Sequence, residues 1–193
     1  MPIIILVIIA VLVIWLISEY NFFVTAGTRI KAAIQEIGNQ LKRQADLIPN
    51  LETSVKGYLG HEKGIYDELT EARKAISAAS KGTDVAKMAE AGSKLSEVLP
   101  KLQVIVESNP ELKGSDVVTK LMDELRDTAD KVMYARRLVI DLTADYNVKR
   151  VTVPSSIIAN IFGFKELEGM IMESEGDSRK VSSSDLKTPK VNF

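Results

Sequence analysis

Cysteine is absent from the 193 residues, which removes disulfides, thiolate nucleophiles and thiolate metal ligands together and suits a reducing compartment. Histidine occurs once, at His61, so neither a zinc site nor a Cys/His nucleophile pair can be assembled within one chain. Carboxylate bundles that hold two irons need Glu-x-x-His motifs on separate helices, and here Tyr58 stands where that Glu would be. No sign of charge dominates: Lys plus Arg number 25, Asp plus Glu 26, and the net charge is −1. Such a chain has no global field for nucleic acid, and it carries neither a Lys/Arg block nor an aromatic RNA-reading motif. Aromatics are few (6%) and glycines number 11; the Ala, Leu, Ile, Val, Glu and Lys that remain are what long helices are made of. No catalytic, cofactor-binding or metal-binding residue is assigned.

The one long hydrophobic run is the first, Ile3 through Ile17, uninterrupted by charge. As a helix it rises about 22 Å, short of the roughly 30 Å hydrocarbon core, so the following residues complete the crossing. Trp15, Tyr20, Phe22 and Phe23 suit the interface, and Glu19 can reach headgroup water. A cleaved signal peptide would need a basic leader and a small-residue cleavage site, and neither is present. Residues 1–24 are therefore read as an uncleaved membrane anchor. The first basic residues, Arg29, Lys31, Lys42 and Arg43, follow the anchor, which places a short N-terminus outside and the rest in the cytoplasm, below the inner (cytoplasmic) membrane.

Residues 25–150 keep helical time. Ile30, Ile34, Ile37 and Leu41 open a seam that runs on through Gln44, Ile48, Leu51, Val55, Tyr58, Glu62, Ile65, Leu69, Ala72 and Ile76. A heptad held this long predicts coiled-coil-like packing of nearly parallel or antiparallel helices. Pro49 either kinks one helix or separates two; the surviving phase favours a kink, in a helix continuous to about Ser80 that projects well over 80 Å. Gly82 suits a left-handed terminus, and Thr83 or Asp84 a cap. The next seam is Val85, Met88, Gly92, Leu95, Leu99, Leu102 and Val106, bent at Pro100 and closed by a turn at 108–114. The last, capped by Ser115 or Asp116, is Val118, Leu121, Leu125, Thr128, Val132, Ala135, Val139, Leu142 and Tyr146, ending near Arg150. The fold class predicted is all-α: an N-terminal transmembrane helix continuing into an elongated antiparallel bundle of three to four helices. Residues 151–172 supply a short apolar helix, and 173–193 form a polar tail too poor in apolar residues to fold alone.

Several positions interrupt these patterns. Gln44, Glu62 and Thr128 break apolar seams; they either sit near the bundle edge or pair locally and fix register, or form a polar layer in which Glu62 meets an arginine from another helix or subunit. Asp46 and Asn50, beside Arg43 and Pro49, are placed to satisfy backbone groups that the proline frees. Gly57, Gly60 and Gly64 make a small-residue strip that predicts close backbone approach, within the chain or to another subunit. Ile157, Ile161, Phe162 and Phe164 either fold back over the core, the preferred reading, or form an exposed patch for a partner or the membrane.

Tyr20-Asn21, the run 40–51 with Arg43, Asp46, Pro49 and Asn50, then Val55-Lys56-Gly57-Tyr58 and His61-Glu62 resemble the hallmark of the LemA family. Arg73, the 107–113 turn, the 121–137 helix with Arg136 and Arg137, Tyr146-Asn147, Pro154, Gly163-Phe164 and the closing Lys190-Val191-Asn192-Phe193 follow in the family's order. The chain departs from the pattern at Val139-Ile140, Thr128-Ala129-Asp130 and Val153. The resemblance implies a bacterial or archaeal single-pass membrane protein with a cytoplasmic helical bundle and no established activity, and relatives linked to envelope functions, including membrane proteases and membrane-compartment formation. The function expected is a membrane-anchored scaffold or adaptor, a homo-oligomer touching the lipid bilayer and an envelope partner such as a membrane protease. The alternative is a membrane-tethered sensor that binds a small ligand or metal.

Overall fold

The computed structural model describes residues 2–58 and 63–167. Six α-helices make up the described chain: α1 (Pro2–Val55), α2 (Lys63–Ala79), α3 (Val85–Ser108), α4 (Pro110–Lys113), α5 (Asp116–Val151) and α6 (Ser155–Ile161). At 54 residues, α1 is about 81 Å long. Its first part, up to Ser18, packs on nothing: the apolar side chains from Ile3 to Ile17 are exposed, apart from a half-buried Trp15.

From Glu19 onward one face of α1 is buried: Phe23, Ala26, Ile30, Ala33, Ile37, Leu41, Gln44, Ile48, Leu51 and Val55. The steps of three and four residues are those of a helix packed along its length on a partner. That partner is chiefly α5, which runs antiparallel to α1. Its buried face comprises Val118, Met122, Leu125, Thr128, Val132, Ala135, Val139, Thr143 and Tyr146. Helices α2 and α3 complete an up-and-down four-helix section only over the half of α1 beyond Ala33, where one continuous core runs from Ala33 to Val139. Below it stands a narrower base of α1, α5 and α6 with its own cluster of Phe23, Ala26, Ile30, Tyr146 and Ala159.

Pro49 does not end α1, which runs on to Val55. Thr53 Oγ1 donates to the Pro49 carbonyl at 2.8 Å and Ser54 Oγ to that of Asn50 at 2.9 Å. The side chains of Asp46 and Asn50 are exposed and make no hydrogen bond among the described residues, so the role expected of them at the proline is not filled. The helix expected to continue to Ser80 instead stops at Val55, and a second one starts at Lys63 and returns antiparallel. Glycine costs about 1 kcal/mol in a helix interior, and Gly57, Gly60 and Gly64 crowd this crossing. The rod beyond the apolar segment is correspondingly shorter, about 54 Å from Tyr20 to Val55.

Helix ends follow local chemistry. Asp84 caps α3, its carboxylate accepting from the N–H groups of Ala86 and Lys87. Ser115 caps α5 by accepting from the N–H of Val118. Gly82 is not left-handed; that conformation belongs to Gly163, at φ 70°, after α6. Pro100 is tolerated within α3 on its exposed side.

Candidate functional site

Polar side chains that tie one part of the bundle to another lie at three levels. At the far end, Tyr58 donates its hydroxyl to Glu111 Oε2 at 2.6 Å, joining the end of α1 to α4. The bond and the nearby negative charge of Glu111 push the phenol above its ordinary value. Nearer the membrane end of α1, Glu52 is turned into the α1–α2 contact: Thr70 Oγ1 donates to its Oε1 at 3.3 Å and Arg73 Nε lies 3.5 Å away. The Arg73 contact is an ion pair whose direction is too poor for a hydrogen bond. Arg73 thus meets an acid that the sequence reading did not single out.

At mid-height Gln44 is 1% exposed, and its Oε1 has no hydrogen-bond partner among the described residues. Thr128 is fully buried and spends its hydroxyl on the Leu125 carbonyl at 2.8 Å. Both lie in the middle of the bundle and not at its edge, and Thr128 pairs locally within α5. Beside them α3 and α5 part to leave a cleft of about 330 Å³, lined by Gln44, Gly92, Ser93, Val132 and Arg136 among others. Arg136 donates to Ser93 Oγ at 3.4 Å across this cleft, while Arg137 is exposed. Arg43 spans to α5 at the surface, 3.2 Å from Glu124 Oε2. Asp46 and Arg73 share a second cleft of about 490 Å³ with Lys74 and Lys81.

The base holds the densest convergence. Phe23, 1% exposed, stacks on Phe164 with ring centroids 4.8 Å apart and meets Tyr146 edge-on at 5.4 Å. Burial raises the Tyr146 hydroxyl above its ordinary value. Phe23 is therefore core and does not face an interface as expected, whereas Tyr20 stays exposed and touches Phe162 at 5.0 Å. Glu19, expected to reach toward headgroup water, is turned inward and 9% exposed. Lys149 Nζ lies 3.3 Å from its Oε2 and 4.4 Å from the Phe22 ring centroid. Again the pair is ionic and not aligned for a hydrogen bond.

Asn147 fastens the strand of chain that follows α6. Its Nδ2 donates to the Leu167 carbonyl at 2.7 Å, and its Oδ1 accepts from the Leu167 N–H at 3.0 Å. Arg150 adds a donation from Nε to the Phe164 carbonyl at 3.1 Å. Asn21 lines a cleft of about 310 Å³ between α1 and α5, with Arg29 and Asp145.

Among the described residues an added Cβ would meet nothing within 4 Å at Gly57 or Gly64, so the close approach expected there is not made among them. It is made at Gly92, where an added Cβ would lie 3.2 Å from Val132 Cγ1. Gly60, His61, Glu62 and the tail from residue 168 lie outside the described residues. Among the described residues no group of three or more His, Cys, Asp and Glu stands where it could hold a metal ion.

Two comparisons bear on this architecture. A model of the LemA family matches residues 33–193, which takes in the four-helix section and, of the base, the part supplied by α5 and α6. Magnetosome protein MamQ of Magnetospirillum gryphiswaldense (strain MSR-1) is 25% identical over 186 residues, covering 84% of this chain and 68% of that protein. With the exposed apolar start of α1, these describe a membrane-associated helical protein.

Proposed function

The chain belongs to the LemA family, and from that premise we propose that it is a single-pass membrane scaffold or adaptor, working through helix surfaces in self-assembly or in contact with other envelope proteins and not through catalysis. The observation that carries this reading is the continuity of α1. One unbroken helix passes from an apolar segment packed on nothing into the core of the bundle. The bundle is then rigidly coupled to its anchor, as an assembly platform requires. Arg29, Lys31, Lys42 and Arg43 follow the apolar segment, which favours a cytoplasmic bundle at the inner membrane with the N-terminus outside. The exposed glycines, Gly57 and Gly64, favour a homo-oligomer.

In-cell cross-linking followed by mass measurement in detergent tests the proposal. Discrete higher-mass species, containing the chain alone or with an envelope protein such as a membrane protease, are the expected result. A monodisperse monomer that retrieves no neighbour would sink it. Deletion of residues 2–18, which keeps Glu19 and Phe23 of the base, should make the protein extractable from membranes by alkaline carbonate; resistance to that extraction would remove the anchor.

A second reading, a membrane-tethered sensor, draws support from the unpartnered Gln44 carbonyl oxygen beside the α3–α5 cleft. A ligand bound there raises the melting temperature by mass action. A screen of metals and small metabolites with no shift counts against it.

A further inference from the structure

We propose that the base of the bundle is a second membrane contact, in which α6 and the end of α5 seat in the bilayer interface beside the anchor. Helix α6 carries apolar side chains both toward the bundle and away from it, with Asn160 also exposed. Ile158 and Ala159 face the bundle and are buried, while Ile157 and Ile161, one turn apart, point away from it. Ile161 is 70% exposed, Phe162 54% and Val153, in the preceding turn, 76%. Val148 and Val151 extend this surface onto the last turn of α5. Five large aliphatic side chains and a phenylalanine left exposed within fifteen residues at one end of the bundle are the kind of apolar surface that marks an interaction site.

Its position selects the occupant. The Phe162 ring touches Tyr20 of α1 at 5.0 Å, and Lys149 reaches Glu19. From Pro2 to Tyr20 the helix rises about 28 Å, nearly the roughly 30 Å thickness of the hydrocarbon core. The patch therefore meets the anchor at the depth where that helix leaves the hydrocarbon and continues the apolar surface of α1 sideways. Aromatic and aliphatic side chains at this depth partition into the interface. Glu166 and Arg150, 3.7 Å apart at the patch edge, would face the headgroups. The consequence is that the bundle does not swing freely on its anchor but is fixed at two points.

This rests on the reading of residues 2–18 as membrane-spanning, and the test separates the two. The chain has one tryptophan, Trp15, so its quenching by lipids brominated along the acyl chain in the full-length protein reports on the anchor. Phe162→Trp in a Trp15→Phe background reports on the patch, in nanodiscs holding one copy each. Loss of fluorescence with lipid brominated near the headgroup is expected, with Tyr134→Trp, exposed midway along α5, unquenched as the control. Quenching of Trp15 without quenching of the Phe162→Trp reporter overturns the docking and leaves the anchor standing. Quenching at neither position overturns both. Shielding of the Phe162→Trp reporter only where two copies share a disc assigns the patch to a protein neighbour and overturns the proposal, as does equal quenching at Tyr134→Trp. The chain lacks cysteine, so a nitroxide on Ile161→Cys gives a second readout: accessibility to oxygen above that to a polar relaxation agent is expected, and the reverse order overturns the docking.

Discussion

Lys149, in the last turns of α5, places its ammonium 3.3 Å from the carboxylate of Glu19, the first buried residue of α1. The contact pins the returning helix to the point where the apolar segment enters the bundle. The Glu19 side chain is 11% exposed and that of Lys149 34%. Removing the cation leaves a nearly buried carboxylate alone, which costs more than the pair itself contributes. Lys149→Met should destabilise the protein by about 1–3 kcal/mol, whereas Glu19→Leu combined with Lys149→Met should recover much of the loss. Thermal unfolding of the two single variants and the double closes the cycle; additive losses would deny the coupling.

The Asn147 amide satisfies both the N–H and the C=O of Leu167, so one side chain fastens the segment after α6. Asn147→Ala should release that segment while leaving the four-helix core intact, at a cost of about 0.5–1.5 kcal/mol for each hydrogen bond. Faster hydrogen exchange at the Leu167 amide, with unchanged protection in α3, is the expected result. Asn147→Asp keeps an acceptor for the Leu167 N–H but loses the donor, and should fall between the two.

The seams were legible in the sequence because packing imposes its own period. Ile37, Leu41, Ile48, Leu95, Leu125 and Val139 are all core, and all stand at steps of three and four. The crossing after Val55 was not legible as a turn, because Val55, Tyr58, Glu62 and Ile65 keep the same steps across it. An antiparallel hairpin of two amphipathic helices can preserve phase by coincidence. The glycines there were the signal, and their helix-breaking cost was read as a packing strip. Glu19 was expected to point to water and Glu52 was passed over because each is buried by a partner distant in sequence, Lys149 and Arg73, and no local pattern encodes such a pairing. The inward half of the 155–164 segment was legible from its apolar density. That its other half stays exposed followed only from the position of α6 against Tyr20 and Phe23.

Gly92 lets α3 approach α5, since a Cβ there would sit 3.2 Å from Val132 Cγ1 and 3.9 Å from Leu41 Cδ2. Gly92→Val overfills this contact and should cost about 1–3 kcal/mol. Val132→Ala in the same chain makes room and should restore part of the stability, although on its own it leaves a cavity. Chemical denaturation of the four proteins tests the relation. A Gly92→Val variant as stable as the parent would mean that Val132 yields freely.

Asp84 gives stability a defined acid dependence. The Lys87 N–H, foremost, and then the Lys87 side chain and the Ala86 N–H hold its carboxyl below the ordinary value of 3.8. A carboxyl whose folded value is lowered contributes stability that is fully present above its unfolded value and is lost as pH falls through the folded one. The cap of α3 should therefore weaken only in acid, below the ordinary carboxylate range. Asp84→Asn keeps a capping oxygen without a titrating proton. Melting temperatures of parent and variant, followed from neutral pH downward, should converge as the acid range is entered. Curves that stay parallel throughout would show that the Asp84 charge does not hold the start of α3.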